Sequence, residues 1–434
     1  MKARLKILMV NKYYFLKGGS ERCLFDLKAL LESNDHKVIP FAMADRQNVE
    51  SEYDSYFVDS INYDFDSKLE KLLNAPKIFG RMTYSLHAKR KIEALLSKEK
   101  FDVAHLHMID HQISPSILHS LKKFNVPVVQ TVHQYKAVCP NYRMYIPQKG
   151  EICERCLSGN YFNAVKQRCH KESLIASAMI AAETTIHKWM KIYKNYIDTF
   201  IVPSKFMGLK LAQGGIPEEK IKLIYHFIET KNYPFSLEHE DYFVYLGRLS
   251  EEKGLFTLLK AVEKLPEAKL KIIGDGPLRG SLEKFSDERD LKNVEFLGKM
   301  LGDDLKKAVS KAMFVVIPSE WYENSPMVIY ESFAMGKPLI GAKTGGITEL
   351  IRHKVDGLLY EMGNVEELRD CIDYMITHKE QIPKFGEAGR ARVVSEFNPE
   401  SHYQQIMNIY DLLIPGSDTN GSVKISERSE PVFT

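Results

Sequence analysis

The chain has 434 residues, 44% of them hydrophobic and 27% charged, with a formal net charge of +3. That length is too great for one ordinary core and predicts two domains. Near-neutral charge gives no whole-protein case for nucleic acid as a partner, and no run of eighteen apolar residues offers a membrane span.

The first residues, MKARLKILMV, carry too few apolar side chains before Asn11 for a signal-peptide core. A cytosolic protein is therefore expected, with its six cysteines as thiols or metal ligands rather than disulfides. Residues 4–10 read as a buried strand. A Gly pair, an amphipathic helix (SERCLFDLKALLES) and a second strand (HKVIPFA) follow, which is a β–loop–α–β unit. Further strands are predicted at 102–108, 127–133 and 198–204, with helical patterns between them. A second α/β series starts near 242. Its strands are 242–248, 269–276, 293–298, 313–319 and 337–342, and its helices include 254–265 and 277–285. A last helix runs to about Leu413, and the polar residues after it predict a disordered tail.

The expected fold is α/β, with two Rossmann-like halves facing across a cleft at the carboxyl ends of their strands, where open α/β sheets bind ligands. The predicted domains are 1–205, with a cysteine insertion at 139–170, and 206–396. Residues 397–413 are expected to form a helix packing back on the first domain, with a tail at 414–434.

The stretch EWYENSPMVIYE places Glu323 just before a helix and Glu331 inside it. Ser325 reads as an N-cap, Pro326 as the first helical residue and Met327 as the second, with Gly336 ending the helix. Side chains lean toward a helix N-terminus, so both carboxylates and the first-turn amides share one space. Sugar or ribose hydroxyls suit the carboxylates, and an anion suits the helix end. The alternative is a cap support and a solvated face residue. Gly18 and Gly19 allow close backbone approach at another helix start, or form an ordinary turn. Arg248 and Lys253, in GRLSEEKG, suit a diphosphate, or pair with Glu251 and Glu252. Gly274 opens a tight turn, GDGP, that does not complete a dinucleotide fingerprint. His133 stands at the end of a strand, and His107 and Asp110 crowd the end of the one before it.

Cys139, Cys153, Cys156 and Cys169 are spaced as one set, C-x13-C-x2-C-x12-C. They suit a structural zinc, with free thiols as the alternative. Asp64 and Asp66 form a D-x-D away from any strand end, which predicts a surface location. Residues 77–100 carry seven Lys/Arg and two Glu among Phe79, Met82, Tyr84 and Leu86. They read either as an interfacial segment on the inner face of a membrane or as a helix packed on the sheet.

Together these residues resemble glycosyltransferase family 4, the retaining nucleotide-sugar transferases of GT-B fold. The likeness rests on the Glu323–Glu331 pair, LGRLSEEKG, KTGGITELI, Gly18-Gly19 and His133, in this order. It spans Lys6 to about Leu413. The cysteine insertion looks like that of a bacterial subgroup linked to envelope polysaccharides.

The resemblance implies catalytic roles for Glu323, His133, Arg248 and Lys253. Glu323 would hold the transferred sugar, His133 would contact it, and the two cations would neutralise the leaving diphosphate. Donor binding would fall to Gly18, Gly19, Gly274, Ser325, Pro326, Met327 and Glu331, with Glu331 on the ribose. His107 and Asp110 are acceptor-side candidates. The donor would be a UDP- or GDP-sugar and the acceptor a glycan or lipid-linked oligosaccharide, with no catalytic metal and no nucleic acid. The rival readings are a nucleotide-sugar epimerase of the same fold and a non-catalytic sugar-nucleotide scaffold.

Overall fold

The computed structural model describes residues 4–61 and 68–414, with side chains from 73 onward in the second stretch. Asp64, Asp66 and the tail 415–434 lie outside the described residues. The chain divides into two compact units. One comprises residues up to Arg143, Glu154–Ile224 and the segment from Tyr403; the other comprises Met144–Cys153 and Tyr225–His402.

The first unit is built on β1 (Lys6–Val10), β2 (Lys37–Phe41), β3 (Val103–Leu106) and β4 (Val128–Thr131). A short hairpin, β5 (Tyr145–Ile146) and β6 (Glu151–Ile152), comes next in the chain, before β7 (Thr199–Val202) and β8 (Ile221–Leu223). The sheet is parallel, in the order β2-β1-β3-β4-β7-β8. Strands of such a sheet are covered on both faces, so they read as near-continuous apolar runs. The helix Gly19–Glu32 buries Leu24, Leu27 and Leu31 against it. The last helix, Pro399–Leu413, adds Tyr403, Ile406 and Tyr410 to the same core. Two buried histidines fix that helix: His36 Nε2 meets the Tyr403 hydroxyl at 2.9 Å, and His105 Nδ1 meets that of Tyr410 at 2.6 Å.

The predicted boundary after residue 205 falls too early. β8 pairs with β7, so the chain stays in the first sheet to Ile224. Its three residues, IKL, alternate with charge and stand below the length at which a strand pattern is legible.

The second unit holds β9 (Phe243–Leu246), β10 (Leu270–Ile273), β11 (Val294–Gly298), β12 (Val315–Ile317), β13 (Leu339–Ala342) and β14 (Gly357–Tyr360). They form a parallel sheet in the order β11-β10-β9-β12-β13-β14. The sequence reading stopped at β13 and missed β14 and the helices Val365–Thr377 and Gln381–Ser395.

In each unit the chain winds outward from two adjacent strands, β1 and β3 in the first and β9 and β12 in the second. These are the switch points at which open sheets leave a crevice outside the strand ends.

Candidate active site

At the second unit's switch point, the loop after β9 carries Arg248 and Lys253, and the loop after β12 carries Glu323. The two loops are tied together by the Glu320 amide, which donates to the Glu252 carbonyl at 2.8 Å. Gly254 makes the approach possible. Its φ is 66°, and a Cβ there would stand 1.9 Å from the Pro318 carbonyl oxygen. Lys253 Nζ then reaches Glu323 Oε1 at 2.6 Å, and Ser319 Oγ donates to the same oxygen at 2.7 Å. The Lys253 ammonium also lies 5.2 Å from the Trp321 ring centroid. Glu323 is 6% exposed. Burial pushes its carboxyl up, but the Lys253 charge and hydrogen bonds from Lys253 and Ser319 outweigh burial and hold it below its usual range. Lys253 therefore pairs with Glu323 and not with its sequence neighbours Glu251 and Glu252. Arg248 is exposed, and its guanidinium has no ion-pair partner among the described residues.

The segment KTGG buttresses this loop from below. Thr344 Oγ1 donates to the Trp321 carbonyl at 2.7 Å, and the Gly346 amide to the Glu323 carbonyl at 2.8 Å. A Cβ on Gly345, whose φ is 51°, would stand 2.1 Å from that same carbonyl oxygen. Gly274 is likewise fixed by packing, since a Cβ there would meet the Gly247 carbonyl oxygen at 1.8 Å.

The helix begins at Met327, with Pro326 as its N-cap and no side-chain cap bond. Ser325 is therefore not the cap that its residue type predicts. Its hydroxyl is taken by that of Tyr330, at 2.8 Å. Glu331 sits in the second turn, half-buried, and accepts from the Tyr233 hydroxyl at 3.3 Å. The helix closes as expected, with Gly336 left-handed at φ 74° and the Lys337 amide bonded to the Ser332 carbonyl.

In the first unit, Gly18 and Gly19 open the helix that follows β1. Gly18 is extended, at φ −167°. A Cβ on Gly18 would come no nearer than 3.7 Å to another residue, and one on Gly19 would meet nothing within 4 Å. Neither backbone strain nor packing requires glycine there. Past β3 and β4, His107 Nδ1 and His133 Nε2 meet at 2.8 Å, with their rings stacked 5.1 Å apart. His133 is pushed down to about 4 by burial, so it is neutral. Asp110 accepts from Gln134 and is raised, chiefly by burial.

Residues 17–232 match the family described as Glycosyltransferase Family 4, and residues 229–392 match Glycosyl transferases group 1. The chain is a GT-B glycosyltransferase. An uncharacterised glycosyltransferase of Methanocaldococcus jannaschii is 23% identical over 410 residues, covering 94% of this chain and 99% of its own. An amylovoran biosynthesis glycosyltransferase of Erwinia amylovora is 28% identical over 224 residues, covering 48% of this chain and 55% of its own. Among solved structures, Anabaena HepE in complex with UDP and glucose superposes with a TM-score of 0.66. Its identity is 18%, and the match covers 94% of this chain and 100% of that one.

The expected zinc site gains no support from the structure. Among the described residues no group of three or more His, Cys, Asp or Glu is placed to hold a metal, and no cysteine is in a disulfide. Cys139 Sγ bonds to Asn141 Oδ1 at 3.0 Å, while Cys156 and Cys169 pack with Tyr161, Ala164 and Ala181. Apolar side chains of the basic segment at 77–100 are packed inward, and membrane contact by its basic face gains no support. Ile78 and Met82 are buried with Ile180, and Ala88, Ile92, Leu95 and Leu96 face inward. Among the described residues no helix is long and apolar enough to cross a membrane.

The sequence reading also missed a buried ion pair beside His133. Lys136 Nζ lies 2.7 Å from Glu183 Oε2, with both side chains nearly inaccessible. Lys136 lines one small cavity with His107, Asp110, His133, Gln134 and Tyr193. Glu183 is 47 residues away from Lys136 on an ordinary amphipathic helix, so no local spacing could have joined them.

Proposed function

We propose that this enzyme is a retaining hexosyltransferase, moving a sugar from a UDP- or GDP-sugar to a hydroxyl of a glycan or lipid-linked oligosaccharide in cell-surface polysaccharide synthesis. The observation that carries the reading is the Lys253–Glu323 pair at the second unit's switch point, with Arg248 exposed on the same β9 loop and without an ion-pair partner among the described residues. A carboxylate kept ionised at low exposure suits sugar hydroxyls, and two adjacent cations suit a diphosphate. The UDP and glucose in the HepE structure and the polysaccharide role of the Erwinia relative support the donor class and the product class.

In this reading Glu331 accepts from the donor ribose and Glu323 from the sugar. The amides at Met327 and the Gly18-Gly19 turn serve the phosphates. His133 contributes a neutral imidazole to the sugar, and His107 and Asp110 face the acceptor. The bond from the sugar's anomeric carbon to the diphosphate oxygen breaks as the acceptor oxygen bonds to that carbon on the same face. The acceptor's proton passes to the departing diphosphate. Catalysis then rests on positioning and on charge placed at the leaving group.

A thermal-shift panel of UDP-, GDP-, ADP- and CMP-sugars tests the reading. One donor base is expected to raise Tm selectively, and Glu331→Ala to abolish that shift. A full shift in the variant would remove Glu331 from the donor site.

The glycines give an independent prediction. Gly19→Ala places its Cβ in open space, so Tm is expected to stay unchanged while kcat/KM falls roughly tenfold through crowding of the diphosphate. Wild-type kcat/KM in that variant would mean that no ligand approaches the turn.

A further inference from the structure

The first unit holds another hollow, of about 250 Å³, that the donor chemistry does not use. It lies where the helix Leu174–Trp189 ends and the chain turns through Lys191 into the short helix Ile192–Tyr196. Lys188, Lys191 and Lys194 all line it, and no acidic residue does. All three lysines are exposed, and none has a carboxylate partner among the described residues. Lys188 is steadied over the Tyr161 ring, 5.5 Å from its centroid. Three like charges around one concave space repel one another, and an anion seated among them relieves that repulsion.

His187 lines the same hollow and is 2% exposed. Its Nε2 lies 2.7 Å from the Thr83 carbonyl oxygen, so that nitrogen carries the proton. Burial keeps the ring neutral, with its pKa lowered to about 4. The other nitrogen, Nδ1, is then a bare acceptor, and it has no hydrogen-bond partner among the described residues. The Tyr193 hydroxyl is also buried without a partner among the described residues, and Tyr193 is a wall shared with the cavity at His133. A fully ionised phosphate cannot donate to Nδ1, whereas an alcohol hydroxyl can.

We propose that this hollow binds the phosphate ester of a sugar, with the phosphate among Lys188, Lys191 and Lys194 and a sugar hydroxyl donating to His187. The same chemistry is offered by a free sugar phosphate and by the phosphate that joins a sugar to a lipid carrier.

Calorimetric titration of the full chain with glucose 1-phosphate, with glucose and with a short-chain alkyl glucosyl diphosphate tests this. At least one phosphorylated probe is expected to bind, glucose is not, and added salt should weaken binding. Tighter binding of the alkyl diphosphate would assign the site to a lipid-linked ligand, and equal binding to a free one. The triple variant Lys188→Gln, Lys191→Gln, Lys194→Gln is expected to keep its Tm, since these side chains are exposed, and to lose affinity by at least about thirtyfold. A site on the donor side would lose nothing in that variant. Unchanged affinity of the phosphorylated probes there, equal binding of glucose, or no binding of either phosphorylated probe at millimolar concentration would each overturn the proposal.

Discussion

Lys253→Met is expected to lower kcat by about 10²–10³-fold, the scale of removing one electrostatic donor from a developing negative charge. It should also destabilise the second unit, because Glu323 is left with a carboxylate that is 6% exposed and has lost its cation. Breaking a buried pair from one side costs about 3–5 kcal/mol; Lys253 retains some solvent contact, so roughly 2–3 kcal/mol is expected here. The two losses separate in a double variant. Lys253→Met with Glu323→Gln replaces the stranded carboxylate by a neutral amide that still accepts from Ser319. Most of the lost stability should return while kcat stays low. If the double variant recovered turnover together with stability, Lys253 would be a structural partner of Glu323 and nothing more.

The pH dependence of the single variant gives a second reading of the same pair. In the wild-type protein Glu323 is held below its usual range, because Lys253 and its hydrogen bonds outweigh burial. Without Lys253, burial dominates and the folded-state value rises above the unfolded one. The folded variant then binds a proton that the unfolded chain does not, so its stability should increase as pH falls through the raised value. The wild-type pair contributes the opposite trend, losing stability once acid neutralises Glu323. Denaturant midpoints for both proteins, followed from pH 7 to below the ordinary carboxylate value of 4.5, would show the two slopes, the wild type's only at the acid end. Parallel slopes would mean that Lys253 does not govern the ionisation of Glu323.

Much of this architecture was legible because parallel strands are covered on both faces and read as unbroken apolar runs. RLKILMV and MFVVIPS are clear cases, and their positions fixed which loops lie at strand ends. Glu323, Arg248 and Lys253 could be placed from that alone. Their partnership could not, since Lys253 and Glu323 are 70 residues apart and meet only because Gly254 lets one loop close on the carbonyl of Pro318. Ser325 misled for a local reason: a hydroxyl before a helix predicts a cap, but Tyr330, one turn on, offers a competing hydroxyl. The cysteines misled in a different way. Spacing measures how far along the chain thiols stand and not how their sulfurs converge; the fold does bring Cys139, Cys156 and Cys169 around Tyr161 and Asn141, but no group of three metal-binding side chains forms among the described residues. β8 was missed because a lysine interrupts its three residues, and β14 because it opens on a glycine and leaves only three apolar residues.

The first unit is expected to lose stability steeply on mild acidification. His133, His170 and His187 all belong to it, and each is lowered from the ordinary 6.5 to about 4, chiefly by burial. Once unfolded, all three take protons near pH 6.5. His111, lowered well below 6.5 by burial, adds to them, so between pH 6.5 and 4 the unfolded chain binds several protons more than the folded unit, and stability falls as pH falls across that window. Each such proton is worth about 1.4 kcal/mol per pH unit. The contribution of His170 is smaller, because it keeps some solvent contact. Asp110 and Glu183 act against this trend. Burial raises both carboxyls, so each takes its proton in the folded unit before it does in the unfolded chain. Their effect opposes the loss between their raised values and the ordinary carboxylate range. Native-state hydrogen exchange of the β1 and β4 amides reads this unit separately from the other. Protection is expected to fall by about one to two orders of magnitude from pH 6.5 to 5.5, after correction for intrinsic exchange. His170→Gln should flatten the slope by a fraction of one proton. Protection that stays flat across this range would mean that the imidazoles titrate normally, and that His133 is charged rather than neutral at the mildly acidic pH where the reaction would otherwise still run.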